Sequence, residues 1–79
     1  MTPSEIFDAV AAALIDSAPA VLEREEIMPE TTLPEIGFAD VNDFYELCFV
    51  LEDSFPDADL STADSWTLVS DVVAACSPV

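Results

Sequence analysis

Two thiols, Cys48 and Cys76, and 17 carboxylates are the side chains that any chemistry in this 79-residue chain would have to use, and they have few helpers. There is no histidine, and the single base is Arg24. A thiol becomes a nucleophile when a nearby base or cation stabilises the thiolate, and Cys48 has neither, while its acidic surroundings disfavour a second negative charge. Two cysteines without a histidine do not supply a structural zinc set, nor a dense disulfide pattern. Asp57 and Asp59 would bind calcium weakly, because the spacing lacks the loop glycine and terminal glutamate of a dedicated site. With Gly37 the only glycine, there is no phosphate-cradling loop. No catalytic or metal-ligating residue is therefore assigned, and the chain is not expected to be an enzyme.

The charge balance points to partners instead. A net charge of -16 repels phosphate backbones and anionic lipid, so nucleic-acid and membrane-surface roles are not expected. A partner should carry clustered Lys or Arg, and its association should weaken with salt. The same repulsion costs folding stability, so salt or divalent cations should stabilise the fold. The apolar share of 52% argues for a packed domain rather than disorder. At this length a domain buries only about 60% of its unfolded surface, so the core has a thin margin. The first residues lack a basic signal-peptide region and no apolar run reaches membrane-span length, which gives a cytoplasmic, reduced setting as the default.

The elements that must position these acids are helical. Thr2-Pro3-Ser4-Glu5 joins a cap, a first-turn proline and a capping-box glutamate, and Ile6, Phe7, Val10 and Leu14 follow at helical spacing. Ala18-Pro19 ends this first helix, predicted over residues 3 to 17. Residues 18 to 40 form a long crossover with Val21, Leu22, Ile27, Leu33 and Ile36 as apolar anchors and a short turn at Glu25-Glu26-Ile27. Asp40 caps a second helix, with Asp43 in its first turn. Its buried face is predicted to carry Val41, Phe44, Tyr45, Cys48, Leu51 and Phe55, before Pro56 stops it. Since Phe44, Tyr45, Phe49 and Phe55 cannot all face one way, at least one aromatic should be exposed, and Phe49 is the candidate. An acidic loop anchored by Leu60 leads to a final helix capped by Asp64 or Ser65. That helix should contain Trp66, Leu68, Val69, Val72, Val73 and Cys76, and Pro78 should close the chain. Cys48 is expected to be a buried thiol and Cys76 an exposed one. The fold expectation is a single all-α domain spanning residues 1–79, with three main helices plus a short one and no sheet.

Three stretches carry a family resemblance. They are Glu25-Glu26-Ile27-Met28-Pro29-Glu30-Thr31-Thr32-Leu33 in the crossover, Glu46-Leu47 with Leu51-Glu52-Asp53-Ser54-Phe55 in the second helix, and Trp66-Thr67-Leu68-Val69-Ser70-Asp71-Val72-Val73 before and within the last. In this order and spacing, over residues 4 to 75, the chain resembles the acyl carrier protein family. The resemblance implies an acyl-carrier-like four-helix bundle with a long loop after the first helix. In that family a serine at the start of the second helix bears the phosphopantetheine arm. Here the matching stretch reads Asp40-Val41-Asn42, so the arm-bearing position falls on Val41, or on Asp40 in a register one residue away. The Val41 register is preferred because it keeps Asp43, Glu46, Leu47 and Leu51 in phase.

What the resemblance implies for function is a docking surface without its cargo hook. The matching acids are Asp40, Asp43, Glu46, Glu52 and Asp53, and the apolar residues among them are Val41, Tyr45 and Phe49. Any one acid reads better as solvated helix face, but as a set they would shape partner choice. The expected partner is a basic-surfaced enzyme of acyl, polyketide or peptide metabolism, met by a monomer and with no cofactor. Two alternatives stay open. One is a working carrier with phosphopantetheine on an unexpected serine, for which Ala63-Asp64-Ser65-Trp66 offers Ser65, or one whose native serine has been substituted. Ser65 reads more simply as a helix cap. The other is an acidic regulatory or inhibitor bundle unrelated to acyl metabolism.

Overall fold

The first helix forms where its local signals put it. The computed structural model describes residues 2–19 and 21–77, and α1 runs Pro3–Ser17. The Thr2 hydroxyl accepts the Glu5 amide at 3.2 Å, and the Glu5 carboxylate accepts the Thr2 amide at 3.0 Å, closing the capping box. Ile6, Val10, Ala11, Ala13 and Leu14 face inward. Ser17, also buried, satisfies its hydroxyl by donating to the Ala13 carbonyl at 2.7 Å.

In the crossover Leu22, Ile27 and Leu33 are buried and Ile36 is half-buried, as expected of anchors. Val21 is not an anchor: it is 94% exposed. Neighbours in extended backbone point to opposite sides, so turning Leu22 into the core turns Val21 out. Phe38, which the sequence reading did not assign to the core, is fully buried. Two single turns of 3-10 helix punctuate the segment, Arg24–Glu26 and Pro34–Ile36. The second ends on Gly37 at φ 102, in the left-handed region, where a Cβ would also meet the Pro19 ring at 3.2 Å.

The second helix, α2, spans Val41–Ser54 with Asp40 as cap. Its buried centre is Leu47 and Leu51, with Phe55 buried just beyond its end. This corrects the predicted stripe: Phe44 and Cys48 are half-buried, whereas Val41 and Tyr45 are exposed and Leu47 takes the core position. Counting back from Leu51 by four and by three gives Leu47 and Phe44, the true phase.

The final helix corrects the predicted start. Asp64 and Ser65 belong to a separate single turn, Ala63–Ser65, and α3 runs Val69–Cys76. Trp66 is buried but precedes the helix. Between the two, residues 67–70 pair with residues 29–33. Leu33 donates to the Thr67 carbonyl at 2.8 Å, Val69 to that of Thr31 at 2.9 Å, and Ser70 to that of Pro29 at 3.0 Å. This clasp includes an isolated antiparallel bridge, Thr32 to Leu68, and no strand occurs among the described residues. The helix start is held from within, because the Asp71 carboxylate accepts the Thr67 and Leu68 amides, each at 3.0 Å. Pro78 lies outside the described residues.

The assembled core joins Val10 and Leu14 of α1, Leu47 and Leu51 of α2, Val69 and Val72 of α3, and the crossover anchors. α1 packs against both other helices, giving, among the described residues, a small all-helical bundle of three α-helices.

Candidate functional site

The stretch that would bear function opens α2, and its geometry begins with a double acid. Asp40 accepts the Asn42 amide at 3.4 Å, and Asp43 accepts the Asp40 amide at 3.2 Å. Both carboxylates thereby sit at the positive end of the helix dipole. Asp43 is half-buried and turned to this capping role, so it presents less charge outward than the other acids. Val41 is the first helical residue and stands 51% exposed. A valine side chain has no nucleophilic atom, so nothing can be esterified there.

Beyond the first turn α2 shows an apolar ridge. Tyr45 is 60% and Phe49 72% exposed, and with Val41 they recur every four residues. At about 100° per residue the three cover about 80° of the helix circumference. On one side the ridge continues into half-buried Cys48 and Phe44 and so into the core. On the other side exposed Asn42, Asp53 and Glu46 follow within about 60°. Exposed Glu52 closes the ridge at its C-terminal end. The structure thus brings Val41, Tyr45, Glu46, Phe49, Glu52 and Asp53 onto one solvent-facing side.

The two cysteines reverse their expected places. Cys76 is only 5% exposed and Cys48 is half-buried, and both are free thiols. Burial pushes the Cys76 thiol up to about 11, with a smaller push from Cys48. Burial, then the charge of Glu52, raises Cys48 as well. In both, burial disfavours the thiolate, the reactive form of a cysteine. Cys76 belongs to the buried core cluster that also holds Phe55 and Val72, a tertiary fact its position near the chain end concealed.

Ser65 sits in its own single turn, exposed, with its hydroxyl donating to the Thr62 carbonyl at 2.8 Å. Asp59 accepts the Ser61 amide at 3.0 Å, and its hydrogen bonds to Ser61 hold its carboxyl below the usual range. No group of three or more His, Cys, Asp or Glu gathers to hold a metal ion among the described residues.

Arg24, the only base, is committed on another side of the molecule. It pairs with Asp8 of α1 at 2.9 Å, lies 4.9 Å over the Phe7 ring and donates to the Ile27 carbonyl at 3.3 Å. The face of α2 therefore has acids without a compensating base of its own. No family model matches the chain, and no match is found among curated proteins or solved structures.

Proposed function

We propose that the chain is a non-catalytic, acyl-carrier-like module that docks through the α2 face onto a basic-surfaced enzyme of acyl, polyketide or peptide metabolism, and that it carries no phosphopantetheine arm. The observation that supports this most is the start of α2. Asp40 caps the helix and a half-exposed valine occupies the first helical position, where the family it resembles has its arm-bearing serine. Three further features fit the same reading: the all-helical architecture, the long ordered crossover after α1, and Glu46, Glu52 and Asp53 facing solvent. The acids would draw a cationic partner in and orient it, and the exposed aromatics would hold it. No helix among the described residues is long and apolar enough to cross a membrane.

The test is an intact-mass measurement after incubation with coenzyme A and a broad-specificity phosphopantetheinyl transferase. The native chain should gain nothing, whereas Val41→Ser should gain one arm. A gain by the native chain that disappears in Ser65→Ala would show a working carrier using the exposed serine of the Ala63–Ser65 turn. If Asp40→Ser rather than Val41→Ser is modified, the register shifts by one. If neither is modified, and partners recovered from cells have no link to thioester chemistry, the acidic-regulator reading replaces this one.

A further inference from the structure

The apolar surface of α2 is wider than the chain itself covers. From Leu47 through Leu51, Phe44, Cys48, Val41 and Tyr45 to Phe49, apolar side chains span about 200° of the helix circumference, interrupted by the exposed Glu52 at the C-terminal end of the ridge. A helix packed on one side of a small bundle needs an apolar stripe of about 100° or somewhat more. α1 lies against α2, and besides it α2 packs on the single turn Ala63–Ser65. Three residues of 3-10 helix cannot shield a ridge that runs about 12 Å from Val41 to Phe49. The exposures of Val41, Tyr45 and Phe49 show that this part of the arc is uncovered.

The shape of the uncovered part selects its occupant. Side chains spaced every four residues form the oblique ridge that seats in the groove of another helix, at an interaxial distance of about 8–10 Å. The charge selects further. Acids lie on one flank only, at Glu46 and Asp53, with Glu52 at the end, and the whole chain carries -16. A second copy would bring the same acidic flank and the same net charge, and anionic lipid or nucleic acid would be repelled.

We infer that α2 presents the vacant fourth-helix position of a bundle, and that its occupant is an amphipathic basic helix of a partner protein, with an apolar stripe on Val41, Tyr45 and Phe49 and Lys or Arg along one edge toward Glu46 and Asp53. The inference rests on the reading of α2 as the docking face, though not on any link to acyl metabolism. It makes the partner's recognition element a helix rather than a flat basic patch, and the one-sided acids fix the direction in which that helix lies.

A short synthetic leucine–lysine peptide that segregates the two residue types on opposite helix faces tests it against a scrambled peptide of equal composition. Binding is followed by amide chemical shifts and by titration calorimetry. The segregated peptide should shift residues 41–53 and the scrambled one should bind weakly. Tyr45→Ala with Phe49→Ala should weaken binding about tenfold or more, with an unchanged helical spectrum showing the fold intact. If both peptides bind alike, and Glu46→Gln with Asp53→Gln removes binding while the aromatic pair does not, the docking face stands and the helix slot is overturned. If shifts fall outside α2 and neither pair matters, both are overturned. No binding by the segregated peptide overturns the helix slot alone, leaving the transferase and partner experiments to judge the docking reading.

Discussion

The helices α1 and α2 are nearly equal in length, and each begins with a capping box, yet they do opposite work with their apolar residues. α1 buries Ile6, Val10, Ala11, Ala13 and Leu14, and among its larger apolar residues only Ile15 crosses into exposure, at 37%. α2 buries Leu47 and Leu51 and leaves three large apolar residues in water. Apolar exposure of single residues is ordinary on any surface, but three in register on one helix are not scattered. α1 spends its large apolar residues within this chain, whereas α2 leaves part of its apolar surface uncovered.

That contrast can be broken most forcefully in the core. Leu14→Ala in α1 and Leu47→Ala in α2 should each cost about 2–5 kcal/mol, read from urea denaturation, because both side chains are fully buried. For a domain of this size such a loss approaches the total stability of about 5 kcal/mol or little more. If Leu47→Ala proves mild, α2 contributes less to the core than its burial indicates.

The caps sharpen the same contrast at a smaller scale. Thr2→Ala should cost about 1 kcal/mol, since it removes the acceptor that closes α1's box. Asp40→Ala should cost less, because its bond to Asn42 is longer, at 3.4 Å, and its removal relieves a chain of net charge -16. Equal losses would mean that charge relief is negligible.

Acid titration should show two limbs. Lowering the pH from neutral toward the isoelectric point near 4.1 removes repulsion, so thermal stability should first rise. Glu5 in α1 and Asp71 in α3 are held below the usual carboxylate range by backbone hydrogen bonds, to Thr2 and to Leu68 and Thr67 respectively. A depressed folded value means that their contribution is present above the unfolded value and is lost as pH falls through the lowered one. Stability should therefore fall again below about pH 4, and Asp71→Asn should flatten that fall. A monotonic rise into acid would show that repulsion outweighs every cap.

Thiol labelling separates the two cysteines by rate. Half-buried Cys48 should react with a neutral thiol reagent well before buried Cys76, and unfolding should equalise them. The smallest effect is the most telling for α2: Phe49→Ser should change stability by no more than about 0.5 kcal/mol. A larger loss would mean that Phe49 packs within the domain, and the asymmetry between the two helices would disappear.

Much of this layout was legible from residue order because it is written locally. Thr2-Pro3-x-Glu5 and Ala18-Pro19 bracket α1, and Asp40 and Pro56 bracket α2, each by contacts a few residues away. The start of α3 was not legible. Ser65 and Asp64 look like caps, but residues 66–68 are drawn into pairing with residues 29–33, and the carboxylate that holds the helix start, Asp71, lies inside it. Val21 and Phe38 have the same difficulty: both are apolar residues of one long crossover, and only tertiary placement leaves one in water and the other in the core. For the candidate site, the acids and Phe49 were readable from helical spacing, whereas the capping role of Asp43 and the one-sided arrangement of charge needed the observed phase of α2.

The clasp between residues 29–33 and 67–70 also bears on how the molecule opens. It joins segments more than thirty residues apart, so the entropy of closing that loop must be met before its hydrogen bonds form. It encircles α2 in sequence without belonging to it. The amides of Leu33, Val69 and Ser70 should accordingly exchange with solvent as one unit, in an opening that frees α3 and the crossover together while α1 and α2 remain paired. Such an opening would expose Leu47 and Leu51 of α2, which share the core with Leu33 and Val69, so a contact between segments outside α2 sets how much of that helix the protein shows.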